Sequence, residues 1–184
     1  MAYSVNLLLS PAAEAALADL QKKMKDAGVP GWTAQAGYRP HIELSLFVSI
    51  DTQAMRADLK RFSIQNNPVE LNFNRLELSG TEVILNPEAN PRLMALQQAA
   101  HQMTRKYGKS PKPESTPGIW QPKLSLVVGV TPVNLDSIKP ILGGISLPLP
   151  ATGDTIGVFL VNNTRIAVQA EGRLGSGQLK DRTY

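Results

Sequence analysis

The sequence predicts an α+β fold made by internal duplication. Two small, mainly antiparallel sheets are expected to face each other across a central groove, with helices outside. Three observations carry this expectation. Helical and strand periodicities alternate along the chain as β-α-β-α-β-β and then α-β-α-β-β-β. Two short segments, Pro40-His41-Ile42-Glu43-Leu44 and Pro122-Lys123-Leu124-Ser125-Leu126, repeat one arrangement. In each, a proton-carrying residue follows a proline and an aliphatic–polar alternation follows that. As strands, they point His41, Glu43 and Ser45, and correspondingly Lys123, Ser125 and Val127, to one face.

The elements follow in order. Tyr3 to Leu9 alternates as a strand, and Ser10-Pro11 offers an N-cap with proline at the first helical position. Ala13, Leu17, Leu20 and Met24 recur at helical spacing until Gly28 and Pro30 close the helix. A loop through Trp32 to Tyr38 leads into the His41 strand. Asp51 caps a second helix with Met55, Leu59 and Phe62 inward. Val69, Leu71 and Phe73 alternate until the phase slips at Asn74-Arg75, which predicts a bulge. Ser79-Gly80 turns into a short strand, Glu82 to Leu85. Asn90-Pro91 starts a third helix, and three prolines between Lys109 and Gly118 predict an irregular loop. After the Lys123 strand, a fourth helix through Leu135, Ile138 and Leu142 stops at Gly143-Gly144. Ile145–Leu149, Thr155–Val161 and Thr164–Ala170 read as strands, the last two joined by a turn at Asn162-Asn163. Residues 1–171 form a single bilobal domain in this reading, and 172–184 a flexible tail.

Composition excludes several classes of function. The chain has 184 residues, no cysteine, two histidines and a net charge of +4. Disulfides, thiol nucleophiles and cysteine-based zinc sites are ruled out. The apolar run from Val5 to Leu9 is too short for a secretory leader, and no run approaches the ~20 residues that span a bilayer. A cytoplasmic monomer without membrane contact is expected. The glycine pairs match neither a P-loop nor a dinucleotide fingerprint, and no serine sits in a nucleophile elbow. The carboxylates do not cluster as a metal site would need, so no metal and no cofactor is expected. His101, among alanines on the third helix, reads as structural or exposed.

With two Pro-led motifs on strands in this topology, the chain resembles the 2H phosphoesterases, the superfamily of 2′-5′ RNA ligases and cyclic phosphodiesterases. Its members carry two His-x-Thr or His-x-Ser strands on pseudo-symmetric lobes, and the resemblance covers roughly Tyr3 to Ala170. It implies metal-free acid–base chemistry on a phosphodiester or cyclic phosphate. One histidine serves as base and the other as acid, while the hydroxyls two residues on hold the phosphate oxygens. The implied ligand is a nucleotide or an RNA terminus bearing phosphate.

Two of the four motif positions depart from that pattern. Lys123 stands where the second histidine would be, and Glu43 where the first hydroxyl would be; His41 and Ser125 fit. An unperturbed lysine titrates about four units above histidine, so Lys123 suits an acid or a phosphate clamp. An ionised Glu43 repels phosphate and donates no hydrogen bond; it is free to pair with Lys123 or to orient His41. Candidate catalytic residues are therefore His41, Lys123, Ser125 and Glu43. Tyr38, Arg39 and Trp120 flank the motifs as candidates for stacking on a base or contacting phosphate. Two readings stay open: a divergent phosphodiesterase, and a decayed relative that binds its ligand without turnover.

Overall fold

A computed structural model describes residues 2–29, 39–162 and 166–181. The loop from Pro30 through Tyr38, and Asn163 and Thr164 of the expected turn and strand, lie outside the described residues. The chain runs β1 (Ala2–Leu9), α1 (Pro11–Asp26), β2 (His41–Ile50), α2 (Thr52–Gln65), β3 (Val69–Ser79) and β4 (Glu82–Pro87). It continues through α3 (Pro91–Arg105), β5 (Gly108–Pro111), a 3-10 turn (Pro113–Ser115), β6 (Leu124–Val128) and α4 (Pro132–Gly143). It closes with β7 (Leu149–Val161), β8 (Ile166–Arg173) and β9 (Leu179–Asp181).

Helix starts follow local chemistry. Asp51 accepts the Ala54 N–H at 3.0 Å to begin α2. Asn90 begins α3, accepting from the Arg92 and Leu93 N–H groups. Its amide also donates to the Glu70 carbonyl at 2.7 Å, tying α3 to β3. In α4 the Asn134 side chain accepts the Thr131 N–H at 2.8 Å, and Pro132 occupies the first turn.

All strand pairs are antiparallel, and the strands are joined in one path, β5-β2-β1-β7-β3-β4-β6, with β8 on β7 and β9 on β8. The two sheets expected from the duplication meet at β7. From Gly153 onward β7 pairs with β1, and from Leu149 to Gly153 it pairs with β3, so Gly153 belongs to both ladders. One long strand thus replaces two expected ones, because Pro148 and Pro150 bracket a start at Leu149 rather than a separate strand from Ile145. Leu7, Phe47, Phe73, Val83, Leu124 and Ile156 are fully buried in one core that runs under both lobes.

Three other expectations meet the structure. Part of the proline-rich loop is a strand: Gly108–Pro111 pairs with β2. The tail expected to be loose from residue 172 is ordered as far as Asp181. Leu179 pairs with Gly172, and Leu174 is buried beneath the turn. A polar, glycine-containing sequence disguised a hairpin whose few apolar residues pack inward. The bulge expected near Asn74 is present, where β4 skips one residue of β3 between Phe73 and Arg75.

Candidate active site

The two motif strands each carry a bulge at the same place. In β2, Glu43 faces Asn6 and Ser45 faces Val5, so Leu44 is the extra residue. In β6, Ser125 faces Ile84 and Val127 faces Val83, so Leu126 is the extra residue. Each bulge falls three positions after the proton-carrying residue, a structural repeat of the sequence repeat. A bulge reverses the side-chain phase beyond it. Ser45 and Val127 therefore turn into the core, and Leu46 and Val128 take the groove positions. This corrects the strict alternation expected through both motifs. Ser45 is fully buried, its hydroxyl 2.8 Å from His101 Nδ1. His101 packs against Phe47 and is structural.

Between the strands lies a groove of about 390 Å³. Its walls are His41, Glu43 and Leu46 of β2 and, opposite, Lys123, Ser125 and Val128 at β6. Glu82 of β4, Glu114 of the 3-10 turn, the start of β1, Val161 of β7 and Ile166 of β8 also line it. The fold thus brings together all four candidate catalytic residues.

His41 Nδ1 lies 2.8 Å from the Arg39 carbonyl oxygen. A carbonyl only accepts, so Nδ1 carries the hydrogen and the neutral ring keeps its lone pair on Nε2. The ring meets Phe159 edge-on, with centroids 5.8 Å apart. Burial holds His41 down to about pKa 4; the nearby Arg39 charge acts the same way, and the carbonyl bond acts against both. At neutral pH the imidazole is uncharged.

Glu43 moves the other way. Burial pushes its carboxyl up to about pKa 7; Glu114 and Glu82 add to the rise, and Lys123 opposes it. Opposite it in the ladder sits Asn6, fully buried, whose amide donates to the Ser4 hydroxyl at 2.8 Å.

Lys123 does not pair with Glu43. Its ammonium lies 3.1 Å from Glu82 Oε2, and the Ser125 hydroxyl lies 3.4 Å from the same oxygen. Glu82 is the site residue that sequence reasoning missed. It begins an ordinary-looking hairpin strand, and only the β4–β6 ladder places it beside the second motif. Its neighbours in sequence, the Gly80-Thr81 turn, carry no signal of that placement.

The flanking candidates have structural partners. Arg39 spans α1 and β8 through ion pairs with Glu14, at 2.7 Å, and Glu171. It lines a different cavity, with Asp154 and Arg173, and not the groove. Trp120 is buried in the core, and its Nε1–H donates to the Glu43 carbonyl at 2.8 Å. Neither side chain offers the groove a stacking face or a phosphate contact. Tyr38 is outside the described residues. Among the described residues, no three His, Asp or Glu side chains are grouped to hold a metal ion. No helix there is long and apolar enough to cross a membrane.

No family model matches the sequence, and no curated protein matches it. Solved structures do match the fold. TT0787 of Thermus thermophilus superposes with a TM-score of 0.60 at 14% identity, over 97% of this chain and 100% of its own. Escherichia coli LigT in apo form gives 0.57 at 13% identity, over 99% and 95%. A crystal structure described as a phosphoesterase gives 0.55 at 12% identity, over 94% and 97%. LigT has also been crystallised with 3′-AMP, ATP and phosphate. The fold is the 2H phosphoesterase fold, shared along nearly the whole chain.

Proposed function

We propose that this chain acts on a cyclic phosphate or phosphodiester of a nucleotide or RNA terminus, by acid–base chemistry between His41 and Lys123. The observation that carries the reading is the state of His41. Its Nδ1–H is fixed on the Arg39 carbonyl, so its proton-accepting nitrogen is Nε2, and its ring is neutral at pH 7. Such a ring can take a proton from water while the water oxygen bonds to phosphorus. One ring P–O bond of the cyclic phosphate then breaks, and Lys123 supplies the proton for the leaving oxygen. A base held near pKa 4 is always available but weak, so slow turnover is expected.

Glu43 then has a role that an ionised carboxylate lacks. With its pKa raised to about 7, it is largely protonated below that pH and donates a hydrogen bond, as the hydroxyl in its position would. Ser125 supplies the corresponding donor from β6. The crystallisation of LigT with 3′-AMP and with phosphate supports a phosphate-bearing ligand for this fold.

One observation favours a second reading. Glu82 already contacts both Lys123 and Ser125, the donors that a phosphate would use. A groove occupied in this way fits a binding protein whose turnover has been lost. Hydrolysis of 2′,3′-cyclic nucleotides and short cyclic-phosphate RNAs, compared with His41→Ala and Lys123→Ala, separates the two. Turnover lost in both variants supports the acid–base reading. Binding that needs Lys123, without turnover, supports the second. Neither turnover nor binding overturns both.

A further inference from the structure

Glu82 puts a fixed negative charge where the ligand's phosphate would lie. Its Oε2 is 3.1 Å from Lys123 Nζ and 3.4 Å from Ser125 Oγ, and it lines the same groove as Glu114. Lys123 is the only lysine or arginine among the described residues lining this groove, and the His41 ring on the opposite wall is neutral. A ligand phosphate that reaches Lys123 therefore does so against one carboxylate in direct contact, Glu114 in the same groove and, above about pH 7, the Glu43 carboxylate as well.

That arrangement separates phosphates by charge. A phosphodiester or cyclic phosphate carries one negative charge at any physiological pH. A phosphomonoester, with a second pKa near 6, carries close to two at pH 7. Repulsion from the carboxylates and attraction to Lys123 both grow with the ligand's charge, and Glu82 with Glu114 outnumber the single lysine, so the monoester's second charge is a net disadvantage in this groove. Hydrolysis of a cyclic phosphate adds water, breaks one P–O bond and converts the monoanion into the monoester, releasing a proton as the second charge develops. The product is thus the species that the groove repels more.

We infer that Glu82 is a specificity residue, selecting monoanionic phosphodiesters over dianionic phosphomonoesters and so favouring product release. The inference rests on the reading of the groove as a phosphate-ester site. Glu82 is half-buried, so an isosteric Glu82→Gln change removes its charge while keeping an acceptor for Lys123.

The test measures binding of adenosine 3′-monophosphate and of its methyl diester at pH 7.5. Both are titrated into His41→Ala protein, where the diester stays intact, and into His41→Ala/Glu82→Gln protein. The expected result is a diester preference that falls on the order of tenfold with Glu82→Gln, through tighter monoester binding, as loss of one like charge at a solvated groove allows. Both ligands bound with an unchanged ratio would overturn the role of Glu82 and leave the phosphate site standing. Binding of neither ligand, with Lys123→Ala indistinguishable, would overturn the phosphate site and this inference with it. Circular dichroism of each variant confirms that the charge, and not the fold, was changed.

Discussion

The indole nitrogen of Trp120 donates to the backbone carbonyl of Glu43 at 2.8 Å, joining the segment that leads into the second motif to the strand of the first. The ring is buried, so the carbonyl has no water to replace that donor. The two halves of the groove are held at one separation by this bond as well as by the core beneath them.

Trp120→Phe keeps most of the apolar volume and removes the donor. The expected cost is about 1–3 kcal/mol, the penalty of an unsatisfied buried acceptor plus a small cavity. Urea unfolding measures it. A cost near zero would mean that the bond does not brace the groove.

His41 and Glu43 make opposing contributions to stability against pH. The folded state holds His41 below its ordinary 6.5, to about 4, so the unfolded chain binds more protons in that window and stability falls as pH drops through it. Glu43 is raised from 4.5 to about 7, so the folded state binds more protons there and stability falls as pH rises through that window. Between about pH 4.5 and 6.5 the two slopes offset each other. Relative to the unmodified protein, His41→Ala should therefore lose stability more steeply with rising pH, and Glu43→Gln should gain it, each by at most about 1.4 kcal/mol per pH unit. Thermal or urea unfolding across pH 4 to 8 reads both slopes. Parallel curves for all three proteins would show that neither group is perturbed.

Catalysis should carry the Glu43 titration on its alkaline side. If the protonated carboxyl donates to phosphate, kcat/KM falls as pH rises through about 7. Glu43→Gln keeps an N–H donor and should abolish that limb while retaining activity. A falling limb that survives in Glu43→Gln assigns it to another group.

Gly153 lies where β7 passes from the β1 ladder to the β3 ladder, and a Cβ there would meet Leu7 Cδ2 at 2.5 Å. Leu7 is fully buried and has little room to retreat. Gly153→Ala should cost about 1–3 kcal/mol by overpacking, measured as a lower urea midpoint. An unchanged midpoint would show that the junction between the lobes is pliable.

Much of the fold was legible because local rules and tertiary packing agree. Pro11, Asp51 and Asn90 mark helix starts through their own backbone chemistry, and the apolar stripes of α1 and α2 match their buried faces. His41, Glu43, Lys123 and Ser125 were legible as a set because each motif is short and lies before its bulge. Past Leu44 and Leu126 the pattern misleads, since Ser45 and Val127 turn inward. Arg39 and Trp120 were plausible neighbours of the motifs. Their partners, Glu14, Glu171 and the Glu43 carbonyl, are far away in sequence and invisible to any local reading.

The sequence by itself determined helices α1 to α4, most of the strands and the two short motifs whose residues share the groove, because periodicity, caps and prolines act within a few residues. Tertiary structure alone decided the strand register, the merging of two sheets through β7 and the arrival of Glu82 beside Lys123 and Ser125. It also decided which groove groups are charged. Register depends on the partner strand, and a carboxyl's proton depends on burial and neighbouring charge. Both are properties of space, set by residues that the chain brings together only when it folds.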